Sequence, residues 1–301
     1  MISNTHSMAI FGPMRLPFLI LPPACVMLGA ATATWSGSEI NLYYLILAFV
    51  GAFSAHISVN ALNEYHDFMS GLDFRTQPTT FSGGSGTLPK TPEKAHFALI
   101  TGISTLVITA LIGIYFLYVR GLWLLPLGAT GLIIVVTYTK WITRSPLLCL
   151  IVPGLGFGPL MVMGTDFVLT GSYSWTSFVA SLVPFFLVSD LLLLNQFPDV
   201  EADKWAGRRH LPIAIGRKAS AKVYVVFLAA TYMAIILGYI SGTLPLEGFL
   251  ALASIVLAIP TVRGVSRYAD DIPRLIPYMG RNVIINILTP VLLAIGLFIG
   301  R

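Results

Sequence analysis

Two short constellations hold most of the side chains in this sequence that could grip a metal ion or an anion. The first runs Asn63-Glu64-Tyr65-His66-Asp67 and then Gly71-Leu72-Asp73; the second is Asn195, Asp199, Glu201 and Asp203, followed by Gly207-Arg208-Arg209. Asn63 and Asp67 stand four apart and share one face of a helix. Asn195, Asp199 and Asp203 repeat that spacing, a stripe about 12 Å long if the helix runs on. Pro198 removes a backbone donor and should kink or unwind the helix beside Asp199. Carboxylate and amide oxygens with no His/Cys ligand set suit hard cations such as Mg²⁺. Mg²⁺ takes one or two carboxylates, keeps some waters and bridges to substrate phosphate. Two acidic helix ends facing each other therefore suit a diphosphate that neither would hold alone. Arg208 and Arg209, with Lys140 at another helix end, supply cations for phosphate oxygens and a departing pyrophosphate.

These residues sit at the ends of long apolar runs. Of 301 residues, 56% are hydrophobic and 10% charged, against about 25% charged in a soluble domain. Nine runs approach or exceed the roughly 18 residues that a bilayer core demands: 16–36, 41–63, 96–118, 121–140, 147–168, 175–197, 222–241, 246–263 and 282–299. Lipid cannot hydrogen-bond a bare backbone, so each span is expected to be helical. The expectation is an all-α, polytopic bundle of nine transmembrane helices forming one domain over 1–301, with cap loops at 64–95 and 198–221. Asn63-x3-Asp67 and Asn195-x3-Asp199 end spans two and six, which suggests two related halves around a central cavity.

Charge sets the expected orientation. With the first span starting inside, sixteen Lys and Arg fall on the cytoplasmic side and two, Arg120 and Arg301, on the other. That bias puts the N-terminus in the cytoplasm and the C-terminus outside, in the cell (inner) membrane. It also accounts for the net charge of +5 without a nucleic-acid partner. Cys25 and Cys149 fall in or beside apolar runs without ligand spacing and read as packing residues. Gly83-Gly84-Ser85-Gly86 offers backbone N–H groups to phosphate but lacks the Lys-Ser/Thr of a P-loop, so a flexible loop is expected. Asp190, five residues inside span six, reads either as a buried acid tying helices together or as a polar contact for substrate. Intramembrane acids and broken helices also suit a transporter with a cytoplasmic-side cation or phosphate site; the gathering of the acids at one face favours an enzyme.

The paired motifs resemble those of the UbiA superfamily of intramembrane aromatic prenyltransferases. The likeness is nearest to the branch that prenylates 1,4-dihydroxy-2-naphthoate in menaquinone synthesis. Asn63, Tyr65, Asp67, Gly71 and Asp73 match that branch's first motif, with Glu64 in place of its usual Asp. Asn195, Asp199, Asp203, Gly207, Arg208, Arg209, Leu211 and Gly216 match the second, and Arg15 matches an early arginine. Two departures, Pro198 for arginine and Phe81–Pro89 for an arginine- and Gly-Pro-containing segment, bear on the aromatic acceptor more than on the prenyl donor. The resemblance implies Mg²⁺-dependent transfer of a prenyl group from a prenyl diphosphate to a small aromatic acceptor, with release of diphosphate. It implies Asn63, Asp67, Asp73, Asn195, Asp199 and Asp203 as the set that holds two Mg²⁺ ions and the diphosphate, with the four aspartates catalytic. Tyr65 and Tyr138 are candidates to face an allylic cation with their rings.

Overall fold

A computed structural model describes residues 12–15, 18–76, 79 and 81–301. Among these residues the chain is helical, with no strand. In chain order the helices are α1 (Leu21–Trp35), α2 (Leu42–Met69), α3 (Pro92–Arg120), α4 (Leu122–Thr137), α5 (Pro146–Thr170) and α6 (Trp175–Asn195). Two short helices, α7 (Val200–Trp205) and α8 (Leu211–Ile215), precede α9 (Arg217–Ile240), α10 (Leu246–Tyr268) and α11 (Ile272–Ile299). Seven of these are long and apolar enough to cross a membrane; α4 and the 15-residue α1 are shorter apolar helices in the places of the expected fourth and first spans. This is a multi-pass membrane protein.

Two spans outrun their expected limits. α2 continues six residues past Asn63 into the stretch expected as a cap loop, so Glu64 to Met69 are helical. α11 starts ten residues before 282, capped by the Asp271 carboxylate, which accepts the Arg274 N–H. Charges at Arg274 and Arg281 hide that first part from any search for uninterrupted apolar sequence.

α6 is the central helix, 67% buried across its most apolar window, whereas α3 is peripheral at 11%. Leu187 on α6 packs in one cluster with Leu28 of α1, Leu228 of α9 and Ile285 of α11. α5 and α6 touch backbone to backbone. A Cβ added at Gly154 would lie 2.2 Å from the Phe185 carbonyl oxygen, and one at Gly158 would lie 2.4 Å from that of Ser181. Pro153, Pro159 and a π-helical stretch, Gly156–Met163, interrupt the regular hydrogen bonding of α5. Where α1 and α5 end, the buried Asp166 accepts hydrogen bonds from Thr32 Oγ1 (2.8 Å) and Ser174 Oγ (3.0 Å), tying α1, α5 and the start of α6 together.

Candidate active site

Local chain chemistry turns both acidic ends inward. α2 stops because Gly71 takes φ +79°, a left-handed conformation that costs glycine little. A short turn, Leu72–Phe74, then buries Leu72 and carries Asp73 back toward Asp67. α6 stops at Asn195, and the chain unwinds through Pro198 before α7 begins after Asp199. The unbroken stripe Asn195–Asp199–Asp203 is therefore interrupted, and the turn is held elsewhere. Phe197 is fully buried, and its carbonyl accepts Arg217 Nε at 2.8 Å. Arg75 lies over the Trp205 ring at 3.9 Å, joining the two caps directly.

Arg208 stands between the two acidic clusters. Its Nη2 contacts Asp67 Oδ1, and its Nη1 donates to Asp203 Oδ1 at 2.9 Å. His210 Nε2 lies 3.0 Å from the other Asp203 oxygen. Asn63 Nδ2 donates to Thr139 Oγ1 at 3.2 Å, which fixes the amide and leaves its oxygen available. Gly83 N–H donates to Asp199 Oδ2 at 3.0 Å. Among the described residues, Asp73 Oδ2 and Asn195 Oδ1 are buried without a hydrogen-bond partner.

Burial and neighbouring acids shape the charge states. Desolvation, with Asp67 and Glu64 nearby, pushes Asp73 up to about 8, against the pull of Arg15 and Arg208. Desolvation and Asp203 push Asp199 up to about 7, although the Gly83 N–H and Arg15 favour its ionised form. Burial opposes the charge on Arg208, but Asp67 and Asp203 outweigh it and hold that guanidinium above its ordinary value.

The acids close one end of a cavity of about 410 Å³. Arg15, Asn63, Asp67, Asp73, Tyr138, Asn195, Asp199, Asp203 and Arg208 all line it. From there it runs between α2, α3, α4 and α5 to Phe116, Leu124 and Val168. Its walls are mostly apolar; the polar exceptions along this length include Thr109, Thr165, His56 and Asn60, and His56 Nε2 lies 3.2 Å from Asn60 Nδ2.

Four expected site residues lie off the wall. Tyr65 is two residues past Asn63, about 200° around α2, and its ring rests on His66. Lys140 and Arg209 are exposed, and Arg209 contributes its backbone N–H to Thr143 O at 3.0 Å. Asp190 is about 140° around α6 from Asn195. It is fully buried, within electrostatic reach of Tyr224, whose hydroxyl donates to Asn282 Oδ1 at 3.0 Å. Two wall residues carry no sequence signal, His210 and Gln196, the latter donating Nε2 to Cys149 Sγ at 3.3 Å, and the part played by Glu64 goes beyond its motif position. His210 and Gln196 come into place through turns rather than helical spacing, whereas Glu64 stood inside the first motif.

Residues 20–275 match the UbiA prenyltransferase family. The chain belongs to that family. It is 27% identical over 285 residues to the 1,4-dihydroxy-2-naphthoate octaprenyltransferase of Bacillus subtilis, covering 91% of this chain and 87% of the relative. Its fold is that of a UbiA homolog from Aeropyrum pernix K1, with TM-score 0.67 and 18% identity over 95% of this chain and 98% of the other. A UbiA homolog from Archaeoglobus fulgidus, solved bound to DMAPP and Mg²⁺, aligns with TM-score 0.56 and 14% identity over 92% of this chain and 98% of that one. This UbiA protein is thus a prenyltransferase, and the transporter reading falls away.

The donor set fits a cation shared with a substrate better than one caged by protein. Among the described residues, no three acidic, histidine or cysteine side chains gather closely enough to hold an ion alone. Hard oxygens instead come from both caps, and two of them, on Asp73 and Asn195, are unpartnered. Mg²⁺ completes such a partial set with phosphate oxygens and water.

Proposed function

We propose that this UbiA prenyltransferase transfers a prenyl group from a prenyl diphosphate to a quinone precursor of the 1,4-dihydroxy-2-naphthoate type, using two Mg²⁺ ions. One observation carries the reading: acids from two separate spans converge, around Arg208, on one end of a largely apolar cavity. Asp67 and Asp73 with Asn63 on one cap, and Asp199 and Asp203 with Asn195 on the other, are assigned to the metal and diphosphate. When bound, magnesium neutralises phosphate oxygens and stabilises the leaving pyrophosphate. Arg208 and Arg15 supply fixed positive charge beside the same oxygens. The apolar walls exclude water from the allylic cation until the acceptor ring captures it, and Tyr138 at the mouth presents an aromatic face. The acceptor class rests on the naphthoate prenyltransferases among the relatives. The positive-inside bias supports a site on the cytoplasmic face of the cell membrane, with the N-terminus inside.

Purified protein with Mg²⁺, labelled prenyl diphosphate and a panel of phenolic and naphthoic acceptors provides the test. Pyrophosphate release together with a lipid product is expected, with a naphthoate preferred. Asp67→Ala and Asp199→Ala are each expected to lose more than about 100-fold, because each removes several kcal/mol of charge stabilisation. Near-normal turnover in either variant would misplace the site; a benzoate preference would overturn the acceptor class alone.

A further inference from the structure

We infer that the backbone amides of Gly83 and Gly84 form a second, metal-free cradle for the diphosphate, held in place by Glu64 through Ser85. The inference rests on the proposed diphosphate site and concerns a segment that sequence reading treated as a flexible loop.

Carboxylates already hold amides on either side of Gly84. Gly83 N–H donates to Asp199 Oδ2 at 3.0 Å. Ser85 N–H contacts Glu64 Oε1, and Ser85 Oγ donates to Glu64 Oε2 at 2.9 Å. Gly83 and Gly84 take φ +82° and +73°, left-handed conformations that glycine adopts at little cost. Successive backbone N–H groups in a turn of this kind form anion-binding concavities. The backbone lies against the acids, since a Cβ at Gly84 would sit 3.3 Å from both Asp73 Oδ1 and Glu64 Oε1.

Neighbouring contacts anchor the segment. Thr79 Oγ1 accepts the N–H groups of Phe81 and Ser82 at 3.2 and 3.0 Å. The Phe81 ring packs on Gly280 of α11, and Leu88 is fully buried. Ser82, Gly83 and Gly84 consequently form part of the cavity wall at its acidic end.

Glu64 differs from the other acids in how it is used. It is 1% exposed, and Arg15 Nε lies 3.5 Å from Oε1. Both its oxygens are therefore committed to the loop and to Arg15, which makes it a positioning residue rather than a ligand. Asp199 is the opposite case. Under the proposed function its carboxylate serves the cation, and the Gly83 N–H that it now holds passes to an adjacent phosphate oxygen.

Calorimetric titration of the purified full chain with inorganic pyrophosphate and Mg²⁺ tests this without turnover, alongside amide exchange over 81–88. Gly84→Ala and Glu64→Ala are expected to raise the pyrophosphate Kd about tenfold or more, the loss of hydrogen bonds to a charged group. Ser85→Ala keeps the backbone N–H and should stay within about twofold. Glu64→Gln still accepts from Ser85 and should recover most of the affinity lost in Glu64→Ala. The amides of Gly83 and Gly84 should become more protected when pyrophosphate binds. Wild-type affinity in both Gly84→Ala and Glu64→Ala, with melting temperatures near wild type, would overturn the cradle, as would unchanged exchange at 83 and 84. If Glu64→Gln altered the Mg²⁺ requirement and left pyrophosphate affinity untouched, Glu64 would be a metal ligand and the positioning role would be wrong. Wild-type protein that failed to bind Mg²⁺ with pyrophosphate at all would bring down the enzyme assignment first, and the cradle with it.

Discussion

Arg208 balances the charge of the two caps, and its shape matters as much as its sign. A guanidinium reaches Asp67 and Asp203 at once; an ammonium is a single point charge. Arg208→Lys is therefore expected to fall at least about tenfold in kcat/KM, which steady-state pyrophosphate release would measure. Recovery to wild-type rates would show that only net charge counts. The acids around it also predict a pH dependence. Asp73 and Asp199 titrate near 8 and 7, both raised first by burial and then by the acids beside them, Asp67 and Glu64 for one and Asp203 for the other. A cation must displace those protons. The Mg²⁺ concentration for half-maximal activity should thus fall as pH rises from about 6 to 8.5. Stability runs the other way. Between the ordinary carboxylate value near 4 and these raised values, the folded protein holds more protons than the unfolded chain, so stability falls as pH rises through that window. Melting of the detergent-solubilised protein without Mg²⁺ at pH 5.5 and 8 reads the sign; a higher melting temperature at pH 8 would contradict both raised values.

Contacts between α5 and α6 hold the second acidic end against the cavity, and they allow closely matched glycines to be told apart. Gly158→Ala drives a methyl toward the Ser181 carbonyl and the Phe185 backbone, at 2.4 and 2.9 Å. It is expected to cost about 1–3 kcal/mol, as overpacking does. Gly156→Ala, two residues away, meets nothing within 4 Å and should melt at or above the wild-type temperature, since Ala is the better helix former. Equal melting temperatures for the two would mean that the interface relaxes freely. No apolar pattern distinguishes these two glycines, because the difference lies in which side of α5 touches α6. The same reason divides what was legible from what was not. Apolar runs reveal helices, since lipid leaves the backbone no alternative, and four-residue spacing put Asn63 and Asp67 on the cavity wall together. Proximity in sequence misled for Tyr65, Lys140 and Arg209, which share motifs or helix ends with cavity residues but point elsewhere. His210 reaches Asp203 through the turn after α7, and the glycine segment is ordered by Glu64, Thr79 and Phe81. Turn-borne contacts of this kind leave no periodic signal.

At the scale of the whole molecule, the bundle provides one apolar chamber with its charge at one end. Along α2 the lining runs from Asp67 to Ala48, about 28 Å at 1.5 Å per residue, which approaches the roughly 30 Å of a bilayer core. A prenyl tail can therefore extend well down the chamber while its head remains with the acids. Gly128 lines the chamber between Leu124 at the far end and Tyr138 at the mouth, and a Cβ there would meet nothing within 4 Å. Ten residues separate it from Tyr138, about 15 Å along α4. Leucine at 128 would project into the path of a long tail and leave a short one untouched, while adding a better helix former to α4. For Gly128→Leu, kcat/KM with the longest prenyl diphosphates should fall about tenfold or more, the usual effect of a steric change in an apolar pocket. Turnover of the shortest donor and affinity for pyrophosphate should both stay at wild-type levels. Competition between long and short donors in one reaction, read as the ratio of lipid products, measures the shift independently of enzyme concentration. A uniform loss across all donors would mean that the tail leaves the chamber before reaching Gly128, between helices and into lipid.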